Sequence, residues 1–336
     1  MFQANTRLKA PLPAPRCPTM SLSPRLETPA PVPLAPGVQV LQRGWLSSNN
    51  TLIRDGKGAA TLVDSGYCSH SAQTLALVAS ALNGDQLTQL VNTHLHSDPC
   101  GGNAALQAIY PGICTLIPPG HAQAVTHWSV QELTFEATGQ SCPRFAYQGL
   151  LIPGQELRMG TQRWQIHAAP GHDPHSVVLF EPVERILISA DALWENGFGV
   201  VFPELDGVDA FGCVSDTLDL IESLGATTVI PGHGSVFHDV ATALATARAR
   251  LNYFVRNPER HRNYAAKVLL KFKLLELQET TAADLGHWAG STPYLRSILG
   301  QQPTQEEVDE RVSGLMEQLV QSGAARRQGV SIYNQD

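Results

Sequence analysis

The sequence predicts an α/β fold in which sheets carry helices on their faces. Short runs rich in Ile, Val and Leu, bounded by Gly, Pro or Asp, indicate buried strands. Helical spacing separates several of these runs, most clearly in residues 210–224. Histidines and aspartates follow the strand-like runs directly, which is where sheets of this kind hold their ligands.

Composition suggests two domains behind a tail. The chain has 336 residues, of which 43% are hydrophobic, and this is ample material for a core. Proline is frequent in residues 1–36 and gives no backbone N–H to a helix, so we expect a disordered tail there. Residues 1–244 carry a net charge of −9 and residues 245–336 a net charge of +2. We therefore predict two domains, one over residues 37–245 and a second over residues 246–336.

The cysteines indicate a reducing compartment. Six of them are scattered along the chain without a Cys-x-x-Cys pair, and the N-terminal segment lacks the apolar core of a secretory signal. We expect free thiols and a cytoplasmic location. No run of about 18 apolar residues appears, so we expect no membrane partner.

A first candidate ligand group comes from two turns. The stretch "LVNTHLHSD" places His94 and His96 two residues apart after an apolar run, so both can reach one ion. The stretch "WQIHAAPGHDPHS" supplies His172 from another strand. Three imidazoles with one open position are the arrangement of a catalytic zinc site.

A second candidate group lies in the same pattern of strand ends. Asp98 belongs to the first turn, Asp191 ends the run "RILISAD", and His233 follows "TTVIPG". Carboxylates and imidazole suit a second ion, and a carboxylate can bridge two ions. Two ions about 3.5–4 Å apart would hold a shared hydroxide.

These motifs, in this order and spacing, resemble those of the metallo-β-lactamase superfamily, whose pattern is H-x-H-x-D-H followed by a His, an Asp and a His. The segment "NNTLIRDGKGAATLVDSG" resembles the first hairpin of that family, in which Asp64 would brace the metal loop. The resemblance covers roughly residues 37–245. It implies a four-layer αβ/βα sandwich of two mixed sheets with helices outside, and a metallo-hydrolase similar to glyoxalase II.

One position departs from the family pattern. Pro99 stands where the family has a histidine, so the second group lacks one imidazole. Losing one ligand should lower the affinity of the second group for an ion by roughly 10- to 100-fold or more. His175 and Cys100 are candidates to compensate, although a solvent-facing histidine and a packed thiol are the simpler interpretations. We expect zinc bound at the first group, and whether the second group holds an ion stays open. Iron and manganese are the alternative metals.

The hypothesis for the reaction is hydrolysis by a metal-bound hydroxide (EC 3 class). Zinc lowers the pKa of bound water to about 7, and Asp98 is the catalytic residue placed to orient the nucleophile and take its proton. Trp194, Phe198 and Phe202 lie in the aromatic loop after Asp191 and would line an apolar pocket, with ordinary loop packing as the alternative. Such a pocket suits a small ester, thioester or lactone.

The C-terminal sequence predicts a small winged-helix-like domain. Residues 263–276 read as a helix, a second short helix follows, and Thr304 with Glu307 forms a capping box that begins a third. The last residues, "AARRQGVSIYNQD", read as a hairpin. The basic run Arg248–Lys273 favours nucleic acid, but the acidic third helix and the overall charge of −7 argue against it. We expect a small-molecule substrate, and a homodimer stays open.

Three alternatives remain beside the hydrolase. A nuclease of the same fold would use the basic run. A member with a degenerate second site would bind without turnover, and Pro99 keeps that interpretation open. An oxidative member, such as a persulfide dioxygenase, would need only a single iron at the three histidines. The sequence fixes neither the metal, nor the exact substrate, nor the oligomeric state.

Overall fold

Two mixed sheets lie face to face in the computed structural model, which describes residues 34–300 and 302–335. The tail expected over residues 1–36 falls, up to residue 33, outside the described residues. The first sheet contains six strands in chain order: β1 (Val38–Leu41), β2 (Asn50–Arg54), β3 (Ala59–Val63), β4 (Gln86–Val91), β5 (Cys114–Ile117) and β6 (Gly149–Leu150). The first three strands pair antiparallel, and β3 to β6 run parallel.

The second sheet has five strands in the spatial order β11-β10-β9-β8-β7. They are β7 (Glu156–Met159), β8 (Gln162–Ala168), β9 (Val177–Glu181), β10 (Ile186–Ala190) and β11 (Thr228–Pro231). Strands β7 to β10 pair antiparallel, and β11 runs parallel to β10.

Successive side chains along each strand point alternately to the space between the sheets and to the outer helices. In β2, Ile53 packs between the two sheets while Leu52 packs against helices on the outer face. In β10, Ile186 and Ile188 point between the sheets and Leu187 points to the outer helices. Each sheet is therefore covered by apolar packing on both faces.

Helices close the outside of both sheets. The chain up to Arg256 contains α1 (Ser71–Leu82), α2 (Ser97–Cys100), α3 (Asn103–Ile109), α4 (Ala122–His127), α5 (Phe135–Thr138), α6 (Phe202–Leu205), α7 (Phe211–Leu224) and α8 (Val240–Arg256). Helices α1 and α3 pack on the first sheet, and α7 and α8 on the second. The predicted four-layer αβ/βα sandwich is confirmed, as is a helix over residues 210–224.

The C-terminal region is mainly helical, as predicted. It contains α9 (Pro258–Leu277), α10 (Ala282–Ser291), α11 (Pro293–Leu299), α12 (Gln305–Gln321) and the strands β12 (Glu279–Thr281), β13 (Ala325–Gln328) and β14 (Ser331–Asn334). The final hairpin pairs with β12 in a sheet of order β12-β14-β13. Whether this region serves as a winged helix stays a prediction.

Residue 245, the predicted domain boundary, lies inside α8 and not in a linker. The buried side chains of α8 on both sides of that residue, including Leu244 and Ala247, join the core beside the second sheet. Residues 34–336 group as one compact unit. The division into two domains therefore stays a prediction, because the change of charge occurs within a continuous helix.

No helix among residues 34–300 and 302–335 is both long and apolar enough to cross a membrane.

The capping box at the start of α12 gives a test of local stability. The Thr304 hydroxyl accepts a hydrogen bond from the Glu307 N–H, and the Glu307 carboxylate accepts one from the Thr304 N–H. Replacing Thr304 with Ala should lower the free energy of unfolding by about 1 kcal/mol, because an N–H of the first turn loses its acceptor. Urea unfolding followed by circular dichroism measures this. The Thr304→Ser variant keeps the hydroxyl and should match the wild type; equal loss in both variants would contradict the capping role.

Candidate metal centre

The three predicted imidazoles meet between two loops. His94 and His96 lie between β4 and α2, and His172 lies between β8 and β9. The ring centroids are 4.5 to 5.1 Å apart. His96 Nδ1 lies 2.7 Å from His172 Nε2, and one nitrogen of each ring lies within 4.8 Å of the others. We call these three residues the first ligand group.

Asp64 fixes the loop that carries the first two histidines. Its carboxylate accepts hydrogen bonds from the Thr93 N–H and hydroxyl, both at 2.9 Å. Thr93 Oγ1 in turn lies 3.1 Å from His94 Nδ1, so His94 Nε2 is the nitrogen that faces the group. Burial raises the pKa of Asp64 to about 8, although the hydrogen bonds from Thr93 oppose this rise. The residue that the family resemblance assigned to bracing is in contact with the loop.

A hydrogen bond on the far nitrogen orients His172. Its Nδ1 lies 2.6 Å from the carbonyl oxygen of Val200, whereas His96 Nε2 lies 3.7 Å from Asp173 Oδ2, beyond hydrogen-bond distance. A partner on the far nitrogen of an imidazole fixes its tautomer and aims the near nitrogen, as in metal sites generally.

The donor set of the first group fits a divalent metal ion. His94 Nε2 is buried and has no hydrogen-bond partner in the described part of the chain, whereas buried polar atoms normally have one. Burial lowers the pKa of His94 and His96, and the neighbouring imidazoles lower that of His96 further. Neutral imidazole is the form that binds a metal.

Asp98, Asp191 and His233 form a second ligand group beside the first. Asp98 lies in α2, while Asp191 and His233 follow β10 and β11. One donor atom of each lies within 4.8 Å of the others, and His233 Nε2 is 3.0 Å from Asp98 Oδ2. Burial opposes protonation of His233, but the carboxylates of Asp191 and Asp98 outweigh it and raise its pKa.

Asp191 stands between the two groups. Its Oδ2 lies 3.3 Å from His172 Nε2 and 3.8 Å from His94 Nε2, and its Oδ1 lies 3.9 Å from His233 Nε2. Burial acts to raise its pKa, yet the surrounding imidazoles lower it overall. A Cβ at Gly232 would collide with Asp191 Oδ1, so this approach of the chain requires glycine. The carboxylate is therefore placed to contact ions in both groups.

Pro99 supplies no donor atom to the second group, and its carbonyl oxygen instead anchors the loop by hydrogen bonds. It is buried in the first turn of α2, where the missing N–H costs nothing. Its carbonyl oxygen accepts hydrogen bonds from the Ser65 N–H at 2.7 Å, the Ser65 hydroxyl at 3.0 Å and the Asn92 amide at 3.1 Å. The substitution of the family histidine thus leaves the loop anchored.

Neither candidate for compensation belongs to a ligand group. The His175 ring packs against His121 with centroids 4.5 Å apart. Cys100 is fully buried, donates through its thiol to the His96 carbonyl at 3.0 Å, and lies 3.8 Å from the Cys142 sulfur. Among the described residues, the two ligand groups contain neither of them.

The three predicted pocket aromatics have different surroundings. Trp194 lines a cavity of about 520 Å³ that begins at His233, which we call the metal-proximal cavity. Phe202 packs on the first ligand group, with its ring centroid 4.9 Å from that of His96. Phe198 is 1% exposed and packs against Phe254 in the core of the second sheet, so it does not line this cavity.

Sequence reasoning missed Trp45. Its ring is stacked on His233 with centroids 5.3 Å apart and planes 9° apart, and it meets Trp194 edge-on at 5.4 Å. The side chain is 51% exposed at the mouth of the metal-proximal cavity. Its only sequence signal is an indole in the polar stretch "QRGWLSSNN", and nothing local places it beside a histidine far along the chain.

The C-terminal region also braces the first group. His261 in α9 accepts a hydrogen bond from the Val201 N–H at 3.1 Å, and the preceding Val200 carbonyl holds His172. Burial, with a smaller contribution from Arg262, lowers the pKa of His261 to about 4. The ring therefore stays neutral and remains an acceptor at neutral pH.

Comparison with known proteins gives matches of one kind. A profile of the metallo-beta-lactamase superfamily matches residues 43–233. A hydroxyacylglutathione hydrolase of Anaeromyxobacter dehalogenans is 29% identical over 217 residues, which are 62% of this chain and 73% of that protein. An acyl-coenzyme A thioesterase of Gallus gallus is 24% identical over 223 residues, 61% of this chain and 80% of that protein.

Solved structures share the fold. A beta-lactamase domain protein from Burkholderia ambifaria has a TM-score of 0.57 at 21% identity, over 93% of this chain and 98% of that one. A metallo-beta-lactamase family protein from Thermus thermophilus has a TM-score of 0.54 at 19% identity, over 89% of this chain and 99% of that one. At such coverage the likeness extends into the C-terminal helices, and at such identity it concerns the fold alone.

Restoring the family imidazole should strengthen the second group. We expect Pro99→His to raise zinc affinity for the second equivalent by roughly 10- to 100-fold, because one more nitrogen enters the donor set. Calorimetric zinc titration of metal-free protein, with elemental analysis after dialysis, measures it. Pro99→Ala removes the ring without adding a ligand and is the control. Identical zinc binding by the His and Ala variants would show that position 99 does not face the second group.

The brace from α9 predicts a pH dependence. The folded pKa of His261, about 4, lies below its usual value of 6.5. The unfolded chain therefore takes up the proton first, and the wild type should lose stability as pH falls from about 6.5 to about 4, by up to roughly 3 kcal/mol. His261→Gln keeps a hydrogen-bond acceptor that does not titrate, so the free energy of unfolding of this variant should fall less over the same pH range. Urea unfolding of the wild type and the variant measures this. An equal fall in both proteins would show that His261 does not cause the pH dependence.

Proposed function

We propose that this chain, which belongs to the metallo-beta-lactamase superfamily, is a metal-dependent hydrolase of small-molecule thioesters, with esters and lactones as related alternatives. The family predicted from the motifs is confirmed by the match over residues 43–233. The nature of the substrate is the part that we propose.

The observation that carries the proposal is the pair of ligand groups joined by Asp191. Of the six ligand residues, His94, His96, Asp98, Asp191 and His233 are buried and His172 is partly buried, and a cavity begins at His233. Buried, clustered titratable side chains beside a cavity are typical of an active site. A donor set made only of imidazole and carboxylate suits zinc, with iron or manganese as alternatives.

A bound divalent ion would supply two effects, a lowered pKa for water and polarisation of the carbonyl. The chain itself supplies the proton acceptor. Asp98 Oδ2 is held by His233 Nε2 at 3.0 Å, and Asp98 is 7% exposed. In the proposed reaction its carboxylate orients a water and accepts its proton. The water oxygen bonds to the thioester carbon, the carbon–sulfur bond breaks, and the leaving thiolate takes the proton that Asp98 accepted, so that a carboxylic acid and a thiol are released.

Thioesters are proposed ahead of the other two substrates for two reasons. Two relatives, a hydroxyacylglutathione hydrolase and an acyl-coenzyme A thioesterase, are by name enzymes of thioesters. The metal-proximal cavity is also lined largely by apolar side chains, including Trp45, Trp194 and Phe272, which suit a neutral acyl group.

Pro99 keeps a mononuclear alternative in place. The first ligand group has all its imidazoles, whereas the second has three donors and no fourth side chain among the described residues. A single-iron oxidation, or binding without turnover, would need only the first group. Metal content per chain separates these cases: about two equivalents of zinc favour the two-metal hydrolase, and one equivalent favours the alternatives.

A reducing compartment such as the cytoplasm remains our proposal for its location. The five described cysteines are free thiols, including the pair Cys100 and Cys142. Free thiols in contact persist where the surroundings are reducing.

Removing the proton acceptor gives the direct test. Asp98→Asn should lower kcat for thioester hydrolysis by about 10²- to 10⁴-fold, because the amide does not accept the proton. A spectrophotometric thiol assay on zinc-loaded protein measures turnover, and elemental analysis shows whether the variant retains its metal.

The control is Asp55→Asn, which alters a partly exposed carboxylate in the β2–β3 turn, outside both ligand groups, and keeps an oxygen that accepts from the Lys57 and Ala59 N–H groups. It should keep wild-type turnover. Turnover within a few-fold of wild type in metal-loaded Asp98→Asn would remove Asp98 from the reaction. A zinc-loaded wild type that hydrolyses no thioester, ester or lactone would overturn the proposed function.

A further inference from the structure

A second cavity continues the metal-proximal cavity away from the ligand groups. It has a volume of about 500 Å³, and we call it the remote cavity. The two cavities share four lining residues, Arg250, Tyr264, Lys267 and Gln318. Together they form one groove that runs from His233 along α8, α9 and α12.

The chemistry changes along this groove. At the metal end the lining is mainly apolar and aromatic, with Trp45 and Trp194 beside His233, and it also contains the carboxylate of Glu195. Arg250 and Lys267 line both cavities, Arg260 lines the remote cavity alone, and the lining of the remote cavity contains no carboxylate. In a chain with a net charge of −7 this is a local reversal of sign.

Arg260 and Lys267 lie on one face of α9 and are available to a ligand, whereas Arg250 of α8 donates to the Phe198 carbonyl at 3.4 Å. Arg260, Tyr264 and Lys267 are spaced four and three residues apart in α9, so they lie on the same side of the helix. Among the described residues, neither Arg260 nor Lys267 forms an ion pair. Arg250 lies over the Tyr264 ring, 5.6 Å from its centroid. Lys271, by contrast, already donates to backbone and side-chain oxygens near the C terminus.

An aromatic surface accompanies the positive charge. Tyr253 lines the remote cavity and is 48% exposed, and it lies next to Phe254 in α8. Exposed aromatic rings beside Arg and Lys bind planar bases by stacking while the cations hold phosphate.

We infer that the groove binds a thioester whose thiol arm ends in a phosphorylated nucleotide, with the acyl carbonyl at the ligand groups and the phosphates in the remote cavity. This rests on the proposed function and specifies the leaving group. Hydrolysis would break the carbon–sulfur bond at the metal end and release the nucleotide-bearing thiol from the groove.

Two other anions fit less well. A tripeptide thiol brings an ammonium group as well as carboxylates, and the lining of the remote cavity offers no carboxylate to pair with it. A single-stranded RNA would have to place a charged phosphodiester in the apolar end between Trp45 and Trp194, where desolvation is costly.

Binding of the thiol product tests the groove without any need for turnover. Coenzyme A is the probe for the phosphorylated nucleotide thiol, and glutathione and a uridine oligonucleotide are the comparison ligands. We expect coenzyme A to bind zinc-loaded protein in calorimetry, with an affinity that falls as salt rises. Lys267→Glu and Arg260→Glu should each raise its Kd by about tenfold or more, because a charge-assisted contact to phosphate is lost.

The matched control is Arg296→Glu, which changes an exposed arginine of α11 by the same charge and lines neither cavity. It should leave the Kd unchanged. In turnover assays of butyryl-coenzyme A, the two groove variants should raise KM more than they lower kcat. Turnover of butyryl-pantetheine, which lacks the nucleotide, should be insensitive to Arg260→Glu, because Arg260 lines the remote cavity alone.

The outcomes separate the two proposals. Coenzyme A binding that depends on Lys267 and Arg260, without hydrolysis of any thioester, would keep the groove assignment and overturn the hydrolase. Hydrolysis of thioesters with no binding of coenzyme A, or tighter binding of glutathione, would overturn the groove assignment alone. Tight binding and cleavage of the oligonucleotide, lost in the same variants, would replace it with a nucleic-acid site.

Discussion

The close packing of six titratable side chains, five of them buried, is the constraint on which the rest of the structure depends. Imidazoles and carboxylates do not lie together out of water unless their donor atoms have partners or a shared ion. The fold provides partners on the far side of each ligand. Thr93 is fixed by Asp64 behind His94, and the Val200 carbonyl stands behind His172. The near nitrogen of His94, left without a partner in the described chain, then has one role that fits it, which is to bind a metal.

The C-terminal helices take part in this constraint. The Val201 N–H donates to His261 of α9, and the Val200 carbonyl of the same peptide group holds His172, so a single peptide group links a metal ligand to a C-terminal helix. Phe202 continues the link, since its ring meets those of His96 and of Tyr294 in α11. A change in the packing of α9 or α11 would therefore shift the imidazoles. This explains why the helical region is better regarded as part of the site than as an appendage.

Much of the fold and the ligand set could be predicted because their signals are local. A strand, a turn and a histidine or aspartate at its end follow one another in sequence, and so do Thr304 and Glu307 at the start of α12. What escaped prediction depends on contacts between distant segments. Phe198 and Phe202 are neighbours in one loop, yet one packs in the core and the other on the ligands. The stacking of Trp45 on His233 joins residues that are far apart in sequence and belong to different layers.

The unequal strength of the two ligand groups also follows from these contacts. Pro99 withholds an imidazole from the second group, and its carbonyl is committed to Ser65 and Asn92. In addition, the Trp194 indole N–H donates to Asp191 Oδ1 at 3.0 Å, on the carboxylate oxygen that faces His233. That hydrogen bond withdraws electron density from a donor of the second group, while Asp191 Oδ2 remains directed at His172. Both features act in the same direction. The first group would hold an ion through three imidazole nitrogens, with Asp191 Oδ2 beside them. The second group offers the weaker set of donor atoms. It lies beside the two indoles, Trp45 and Trp194, at the apolar end of the groove.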